Sequence, residues 1–396
     1  MHIDPLLPVI VAILCVVLLI GLSLQLLRLP QVIGYLFAGI AIGPYGLSLL
    51  TDGDVIARLG SFGVVLLLFF VGMEVVPRQL LANWRIAVIG TLAQVLLSVA
   101  LIVPIGLWFD WPIERVVLLG FVTSLSSTAV IVKLLRDSGE INRKEGQAVL
   151  SILLAQDLVI IPMLIVISMM GGSTPSWHEL GLQVGGAISI IAILAWALSR
   201  QAFHLPFRKY LRHDPEQQVF SALLICMGLS WLTGIVHLST ALGAFAAGIL
   251  ITTARETEWV HHALGPFRVV FIALFFVSIG MLVDIVFVLS HITQLVLLVV
   301  IVLLGNTVLN GVILKLLGYQ WRESFYAGAM LSQIGEFAFV LAAVGLSERF
   351  ISDIAYQYTI AVIVLTLIIS PFWIMAARRV LGVKNLANTT NPLMTK

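Results

Sequence analysis

Long apolar runs separated by short polar stretches organise the whole chain. Thirteen of them are long enough, or nearly so, to cross a hydrocarbon core about 30 Å thick, which needs about 20 residues in a helix. The runs cover approximately residues 6–27, 31–50, 55–76, 86–108, 114–136, 144–170, 180–200, 216–236, 238–253, 265–287, 292–317, 322–346 and 354–377. Backbone polar groups in lipid must be hydrogen-bonded within their own segment, so each run is predicted to be a helix. The pattern predicts an all-α polytopic membrane protein with about 13 transmembrane helices.

Composition supports the membrane assignment and says little about partners. The chain is 60% hydrophobic and 11% charged, whereas soluble domains carry about 25% charged residues. Its basic residues are scattered and the net charge is +2, so nothing indicates a nucleic-acid partner. Cys15 and Cys226 lie inside apolar runs, which favours free thiols. The run 6–27 lacks a basic start and is longer than a signal-peptide core, so we expect a retained span.

The positions of Lys and Arg predict the orientation. With the N-terminus outside and the C-terminus in the cytoplasm, only Arg58, Arg115 and Arg349 of the 22 basic residues fall on the outer side. An excess of basic residues in cytoplasmic loops is the usual bias of multi-pass proteins. We therefore expect a protein of the cell inner (plasma) membrane with that orientation.

An internal repeat relates the two halves of the chain. Gly34–Ile40 of the second run resembles Gly243–Ile249 of the ninth, and Phe69–Met73 of the third resembles Phe275–Met281 of the tenth. The two matches follow in the same order at nearly the same offset. That offset spans seven segments, an odd number, so the second copy is predicted to be inverted across the membrane. Inverted repeats are typical of secondary transporters, whose sites lie where helices break near the midplane.

Two polar interruptions mark the predicted breaks. The fifth run contains Thr123-Ser124-Leu125-Ser126-Ser127-Thr128, and the corresponding part of the twelfth contains Ser332-Gln333-Ile334-Gly335-Glu336. Hydroxyl residues also occur at ordinary helix interfaces or bond back to the preceding turn. Because the interruptions occupy matching places in the repeat, we predict two crossed discontinuous helices.

Asp157 is the main candidate for chemistry. It lies deep in the run 144–170, where a carboxylate is costly in hydrocarbon and normally faces a water-filled path. Gln156 adds an amide beside it. We predict that Asp157, Gln156, Ser126, Ser127 and Thr128 form a site for a proton or a monovalent cation. A structural carboxylate paired with a neighbouring helix is the alternative.

Glu336, Gln333 and Ser332 are predicted to support the crossing. Glu336 is either a second titrating group or a carboxylate that neutralises helix ends, and the structural role is favoured. The sequence has no metal-ligand spacing, phosphate loop or nucleophile elbow, so we expect neither an enzyme nor a cofactor.

The chain resembles the membrane domain of the monovalent cation:proton antiporter-2 superfamily, specifically its Kef-type branch. The matching stretches are Val32–Pro44, Gly72-Met73-Glu74, Leu125–Ala129, Gln156-Asp157, Ala241–Gly248, Phe275–Met281 and Ser332–Phe339. The resemblance implies a homodimeric carrier in which Asp157 binds cation and proton in competition. Relatives with Gln before this Asp are mostly associated with potassium, and those with Asn-Asp or Asp-Asp with sodium.

Two departures from the family pattern change what the resemblance implies. Many relatives have a Lys in the eleventh segment where this chain has Asn306, which favours electroneutral exchange. Kef systems usually continue into a cytoplasmic nucleotide-binding domain. Here we expect a transmembrane domain over 1–384, with inverted repeats at about 6–170 and 216–381, and a short cytoplasmic tail over 385–396. A nucleotide-binding regulator, if one acts, is then a separate cytoplasmic subunit or lies outside this sequence.

The sequence thus predicts a secondary transporter that exchanges K⁺ for H⁺ by alternating access. Its partners would be K⁺ or Na⁺, protons, membrane lipid and a second copy of the chain. A Na⁺/H⁺ antiporter of the same fold is the first alternative. A passive cation channel is less favoured because no carbonyl filter motif occurs. A membrane scaffold would leave Asp157 and both interruptions unexplained.

Overall fold

The computed structural model describes residues 6–26, 31–74, 83–171, 215–236, 240–253 and 258–383, together with the isolated helical residues 181–182, 185–186 and 189. Every regular element within these ranges is helical. The predicted segment 180–200 and the predicted tail 385–396 lie almost wholly outside the described residues.

The described helices divide between two compact units. The first unit contains α1 (Leu6–Leu26), α2 (Gln31–Ile42), a π-helical turn (Arg85–Gly90), α4 (Thr91–Trp108), α5 (Ile113–Ser124), α6 (Thr128–Asp137), α7 (Lys144–Met170), α11 (Ile285–Ser290), α12 (Ile292–Leu316), α13 (Trp321–Met330), α14 (Phe337–Ser347) and α15 (Asp353–Leu381). The second unit contains α3 (Gly53–Glu74), α8 (Pro215–Ile235), α9 (Thr240–Thr253) and most of α10 (Glu258–Met281).

Seven helical stretches in the described part of the chain are long and apolar enough to span a membrane. Shorter apolar helices accompany them, so the predicted total of 13 spans is not confirmed. The predicted segment 265–287 differs from the structure, in which α10 ends at Met281 and a new helix starts after Asp284. The Asp284 carboxylate accepts the backbone N–H of Phe287 at 3.0 Å. Asp284 is thus the N-cap residue of α11.

Both predicted interruptions are present. The chain leaves α5 at Leu125, whose backbone is extended (φ −90°, ψ 126°), and becomes helical again at Thr128. The second break runs from Leu331 to Glu336, between α13 and α14. A capping box between Gln320 and Glu323 starts α13.

The two breaks cross and hydrogen-bond to each other. The Gly335 N–H donates to the Leu125 carbonyl at 2.8 Å, and the Ser126 hydroxyl donates to the Leu331 carbonyl at 2.8 Å. A side chain at Gly335 would lie only 2.5 Å from the Ser126 carbonyl oxygen. Glycine is therefore needed here for close approach of two backbones.

The repeated motifs meet in two glycine contacts. In the first unit, Gly280 at the end of α10 packs on the α2 backbone at Leu36 and Gly39. In the second unit, Gly72 of α3 packs on α9 at Gly248. An operation that exchanges the second run with the ninth and the third with the tenth would convert one contact into the other. In both contacts small residues let helices approach closely. The inverted repeat itself stays a prediction.

A buried ionic cluster joins three elements beyond the end of α6. Glu140 is 1% exposed and accepts hydrogen bonds from Arg378 Nη2 at 2.6 Å and from the Tyr326 hydroxyl at 2.8 Å. Arg143 Nη1 donates to the other carboxylate oxygen at 3.2 Å. The cluster ties the loop before α7 to α13 and α15. These three elements therefore keep a fixed spacing at this end of the unit.

Replacing Gly335 with Ala is expected to destabilise the protein by about 1–3 kcal/mol, as overpacking of a filled interior does. The added methyl group would push the Ser126 backbone away and loosen the crossing. Apparent melting temperature, followed by size-exclusion chromatography of heated detergent-solubilised protein, measures the effect. Gly305→Ala is the matched control, because nothing lies within 4 Å of a side chain placed there on α12. Equal melting temperatures for both variants would contradict the assigned crossing.

Candidate functional site

Asp157 lies on α7 beside the first helix break. Asp157 is 1% exposed, and both of its carboxylate oxygens lie 3.2 Å from the Thr128 hydroxyl. Thr128 is the first residue of α6, so this hydroxyl stands where the second half of the broken helix begins. The structure thus brings the predicted carboxylate and one predicted hydroxyl together at the positive end of a half-helix dipole, which favours negative charge.

The other two predicted hydroxyls hold the break itself. Ser127 Oγ accepts the Val130 N–H at 3.4 Å, which is the bond of an N-cap residue for α6. Ser126 Oγ donates to the Leu331 carbonyl of the second break. Both residues are buried. In this structure Thr128 supplies the hydroxyl at Asp157, while Ser126 and Ser127 satisfy backbone groups.

Gln156 makes three hydrogen bonds at the first break. Its Oε1 accepts the Ser126 N–H at 3.0 Å, and its Nε2 donates to the Ser124 carbonyl at 3.1 Å and to Gln94 Oε1 at 2.7 Å. The amide therefore replaces helical hydrogen bonds on both sides of Leu125. Its predicted role as a cation ligand stays a prediction.

The predicted support residues occupy the second break. Ser332 Oγ donates to the Ala329 carbonyl at 2.8 Å. Gln333 is completely buried, and neither of its amide atoms has a hydrogen-bond partner within the described residues. Glu336 is 1% exposed and is the N-cap residue of α14. A carboxylate at this position lies at the positive end of the helix dipole.

Asn306 links the two broken helices. From the middle of α12, its Nδ2 donates to the Thr123 carbonyl at 2.9 Å and to the Ser332 carbonyl at 3.1 Å. One turn later, Asn310 Nδ2 donates to the Asn306 carbonyl at 2.9 Å. A neutral amide therefore occupies a place that touches both breaks. Sequence analysis identified Asn306 only as a missing Lys, and this bridging role was not predicted.

Gln94 is a second residue of the site that sequence analysis did not identify. It lies on α4, is 1% exposed and accepts the hydrogen bond from Gln156. The available signal was a Gln within the apolar run 86–108, where a buried amide needs a partner.

The donor set suits a proton or a cation that prefers oxygen. Among the described residues, no group of three or more His, Cys, Asp or Glu side chains is placed to hold a metal ion. The Asp157 carboxylate has the Thr128 hydroxyl beside it, and the carbonyls of Leu125 and Leu331 at the two breaks accept hydrogen bonds from Gly335 and Ser126. Discontinuous helices of this kind bind coupling ions in transporters.

Comparison with known proteins identifies the family. Residues 10–377 match the family described as sodium/hydrogen exchanger, transmembrane. The chain belongs to this family. It is therefore a multi-pass membrane transporter of the cation:proton exchange type and not an enzyme. The iron transporter MagA of Paramagnetospirillum magneticum (strain ATCC 700264 / AMB-1) is 33% identical over 361 residues, covering 91% of this chain and 83% of that protein.

Solved structures share the fold. The sodium proton antiporter MjNhaP1 of Methanocaldococcus jannaschii, in its structure at pH 8, aligns with a TM-score of 0.67 and 16% identity over 95% of this chain and 99% of that one. A second structure of MjNhaP1, from an electron-microscopy map, aligns with a TM-score of 0.62 over 96% and 99%. At this identity the likeness shows the antiporter fold alone.

Thr128→Val is expected to weaken the apparent cation affinity of transport by about tenfold or more, because a hydrogen bond to a charged group is typically worth about 1.5–3 kcal/mol. Valine keeps the shape of the side chain but leaves the Asp157 carboxylate without this donor. Initial rates of exchange in proteoliposomes, as a function of cation concentration, measure the change. Thr128→Ser keeps the hydroxyl and should stay near wild type. If Thr128→Val kept the wild-type cation affinity, Thr128 would not contribute to cation binding.

Proposed function

We propose that this chain exchanges one monovalent cation for one proton at Asp157. The observation that carries the proposal is the buried Asp157 carboxylate, whose two oxygens face the Thr128 hydroxyl where a membrane helix is broken. Burial of a negative charge is costly, so binding of a proton or a cation at this carboxylate is favoured. Competition for one carboxylate then couples the two flows.

Thr128 and the break define what the carboxylate can hold. The Thr128 hydroxyl donates to the ionised carboxylate, and the hydroxyl oxygen can also accept, so it can serve as a cation ligand. Backbone carbonyls near the first break are proposed to supply further oxygens. The ionised state binds the cation, and protonation of Asp157 expels it. Alternating exposure of this site to the two sides completes the cycle.

Potassium is the first choice of cation and sodium is the alternative. The Gln156-Asp157 pair resembles the Kef-type branch, in which Gln at this place accompanies potassium. K⁺ is larger than Na⁺ and more easily dehydrated, so it suits a loose site of one carboxylate and a few neutral oxygens. The description of the matching family, sodium/hydrogen exchanger, supports sodium as much as the Gln156-Asp157 pair supports potassium. A transport assay with both ions therefore decides between them.

An iron substrate is the second candidate, because the relative MagA is named as an iron transporter. Fe²⁺ is usually held by several imidazole, thiolate or carboxylate ligands. The described residues contain no such group of three. We therefore rank iron below the monovalent cations and include it as a comparison.

The membrane, the orientation and the oligomeric state of the transporter are proposed from the sequence. We propose a homodimer in the cell inner membrane, with the N-terminus outside and the C-terminus in the cytoplasm. The distribution of Lys and Arg supports the orientation. A separate cytoplasmic subunit is the proposed route for any regulation by nucleotide.

Exchange should be abolished by Asp157→Asn, which keeps the shape of the side chain but cannot titrate near neutral pH. Purified protein is reconstituted in liposomes containing a pH-sensitive dye, and gradients of K⁺, Na⁺ or Fe²⁺ are imposed. Wild type should move protons against the cation flow, with a higher apparent affinity for K⁺ than for Na⁺ and no response to Fe²⁺. Asp353→Asn is the control, because Asp353 lies exposed at the start of α15.

Each other outcome decides against a specific part of the proposal. Proton-coupled exchange that survives in Asp157→Asn would remove Asp157 from the mechanism. A higher affinity for Na⁺ at every pH tested would overturn potassium but keep the antiporter. Cation flux without stoichiometric proton movement would indicate a channel, and an iron-driven response would favour the second candidate.

Exchange is expected to be electroneutral. One carboxylate that carries either one proton or one monovalent cation moves the same charge in both directions, and the neutral Asn306 adds no second titrating group where many relatives have Lys. Solid-supported membrane recordings should show no sustained charge displacement after a jump in cation concentration, while the dye in the same liposomes reports proton movement. A sustained current that scales with the proton flux would show that a further charge is carried.

A further inference from the structure

Two buried amides from different helices share a hydrogen bond next to the proposed ion site. Gln94 of α4 and Gln156 of α7 are each 1% exposed, and Gln156 Nε2 donates to Gln94 Oε1 at 2.7 Å. Gln94 begins the second turn of α4, close after the π-helical turn Arg85–Gly90. A π turn adds a residue to the helix and so changes the direction of every side chain after it, and such turns are frequent at functional sites.

The orientation of both amides follows from their neighbours. The Ser126 N–H can only donate, so the Gln156 atom that it meets at 3.0 Å must be the oxygen. The Gln156 nitrogen then faces two acceptors, the Ser124 carbonyl and the Gln94 side chain. Gln94 must therefore present its oxygen. Its nitrogen is left without a partner within the described residues.

This arrangement uses Gln156 to hold the break. One end of its amide binds the Ser124 carbonyl, at the end of α5, and the other binds the Ser126 N–H. Thr128, which contacts Asp157, follows two residues later. Asp157 is the next residue on α7. The spacing between the Thr128 hydroxyl and the Asp157 carboxylate therefore depends on where the Gln156 amide is held, and Gln94 holds it.

We infer that Gln94 is a positioning residue that sets cation selectivity through Gln156, by fixing the spacing of oxygens at the first break. The inference rests on the proposed cation exchange at Asp157. Gln156 then influences the choice of ion through the backbone that it holds and not as a direct ligand. A cation site selects by cavity size, ligand number and flexibility. A loosened break changes all three without removing a ligand.

A double-mutant cycle with Gln94→Met and Gln156→Met tests this inference. Methionine keeps the length and apolar volume of glutamine but cannot hydrogen-bond as an amide does. Ser98→Ala is the control, because Ser98 lies one turn further on the same face of α4, is buried, and its hydroxyl has no partner within the described residues. Apparent affinities for K⁺ and Na⁺, and maximal rates, are measured in proteoliposomes for wild type, both single variants, the double variant and the control.

Gln94→Met should change the ratio of K⁺ to Na⁺ affinity by about fivefold, the scale of one hydrogen bond, with a smaller effect on maximal rate. The same substitution should add nothing in the Gln156→Met background, because interacting residues are not additive. Ser98→Ala should keep the wild-type ratio. An unchanged ratio in Gln94→Met, or an equal change in both backgrounds, would overturn the inference.

Failure of the proposed function gives a different result. If wild type exchanges neither cation for protons, the proposed function is wrong. The cycle is then read from melting temperatures measured in K⁺ and in Na⁺, because an ion that binds the folded protein stabilises it. An ion-specific difference that Gln94→Met alters only when Gln156 is present would support the two-amide arrangement. Additive effects, or no ion-specific difference in any variant, would overturn it.

Discussion

The structure depends on one constraint, which is that helix breaks inside a membrane leave backbone groups that water cannot satisfy. Each such group costs several kcal/mol if it stays unpaired in hydrocarbon. Here the two breaks satisfy each other through Gly335 and Leu125 and through Ser126 and Leu331. The two breaks therefore depend on each other for these hydrogen bonds. The crossing is thus both the weakest point of each helix and the point at which the helices are joined.

Side chains from three unbroken helices complete the hydrogen bonding at the two breaks. Gln156 serves the groups on both sides of Leu125, Asn306 serves a carbonyl on each broken helix, and Gln94 holds Gln156. All three are neutral amides, which donate and accept without adding charge. The ionised form of Asp157 is therefore not neutralised by these partners. On the proposed mechanism, Asp157 binds a cation and a proton in turn, which is what an exchanger requires.

The parts of this site that could be predicted from the sequence are polar residues deep inside apolar runs. Hydroxyls in the fifth apolar run and Ser332–Glu336 in the twelfth stand out against their neighbours, and the repeat related them. The bonding of each group was not predictable, because it depends on contacts between distant parts of the chain. Glu140 illustrates this, since it reads as a loop charge but is buried against Tyr326 and Arg378. The span count was also not settled, because length and hydropathy do not distinguish a break from a boundary, as at Asp284.

At the crossing, the contacts that determine the fold differ from the groups that are proposed to select the transported ion. Glycine contacts and paired backbone groups determine how the helices meet. At the proposed site the ion meets only a few oxygens, and we infer that the amides of Gln156 and Gln94 fix the spacing of these oxygens from behind the break. A substitution at such an amide can shift that spacing by a fraction of an ångström while every helix stays in place. On this inference, selectivity can change by steps smaller than those that would unfold the crossing, through residues that do not contact the ion.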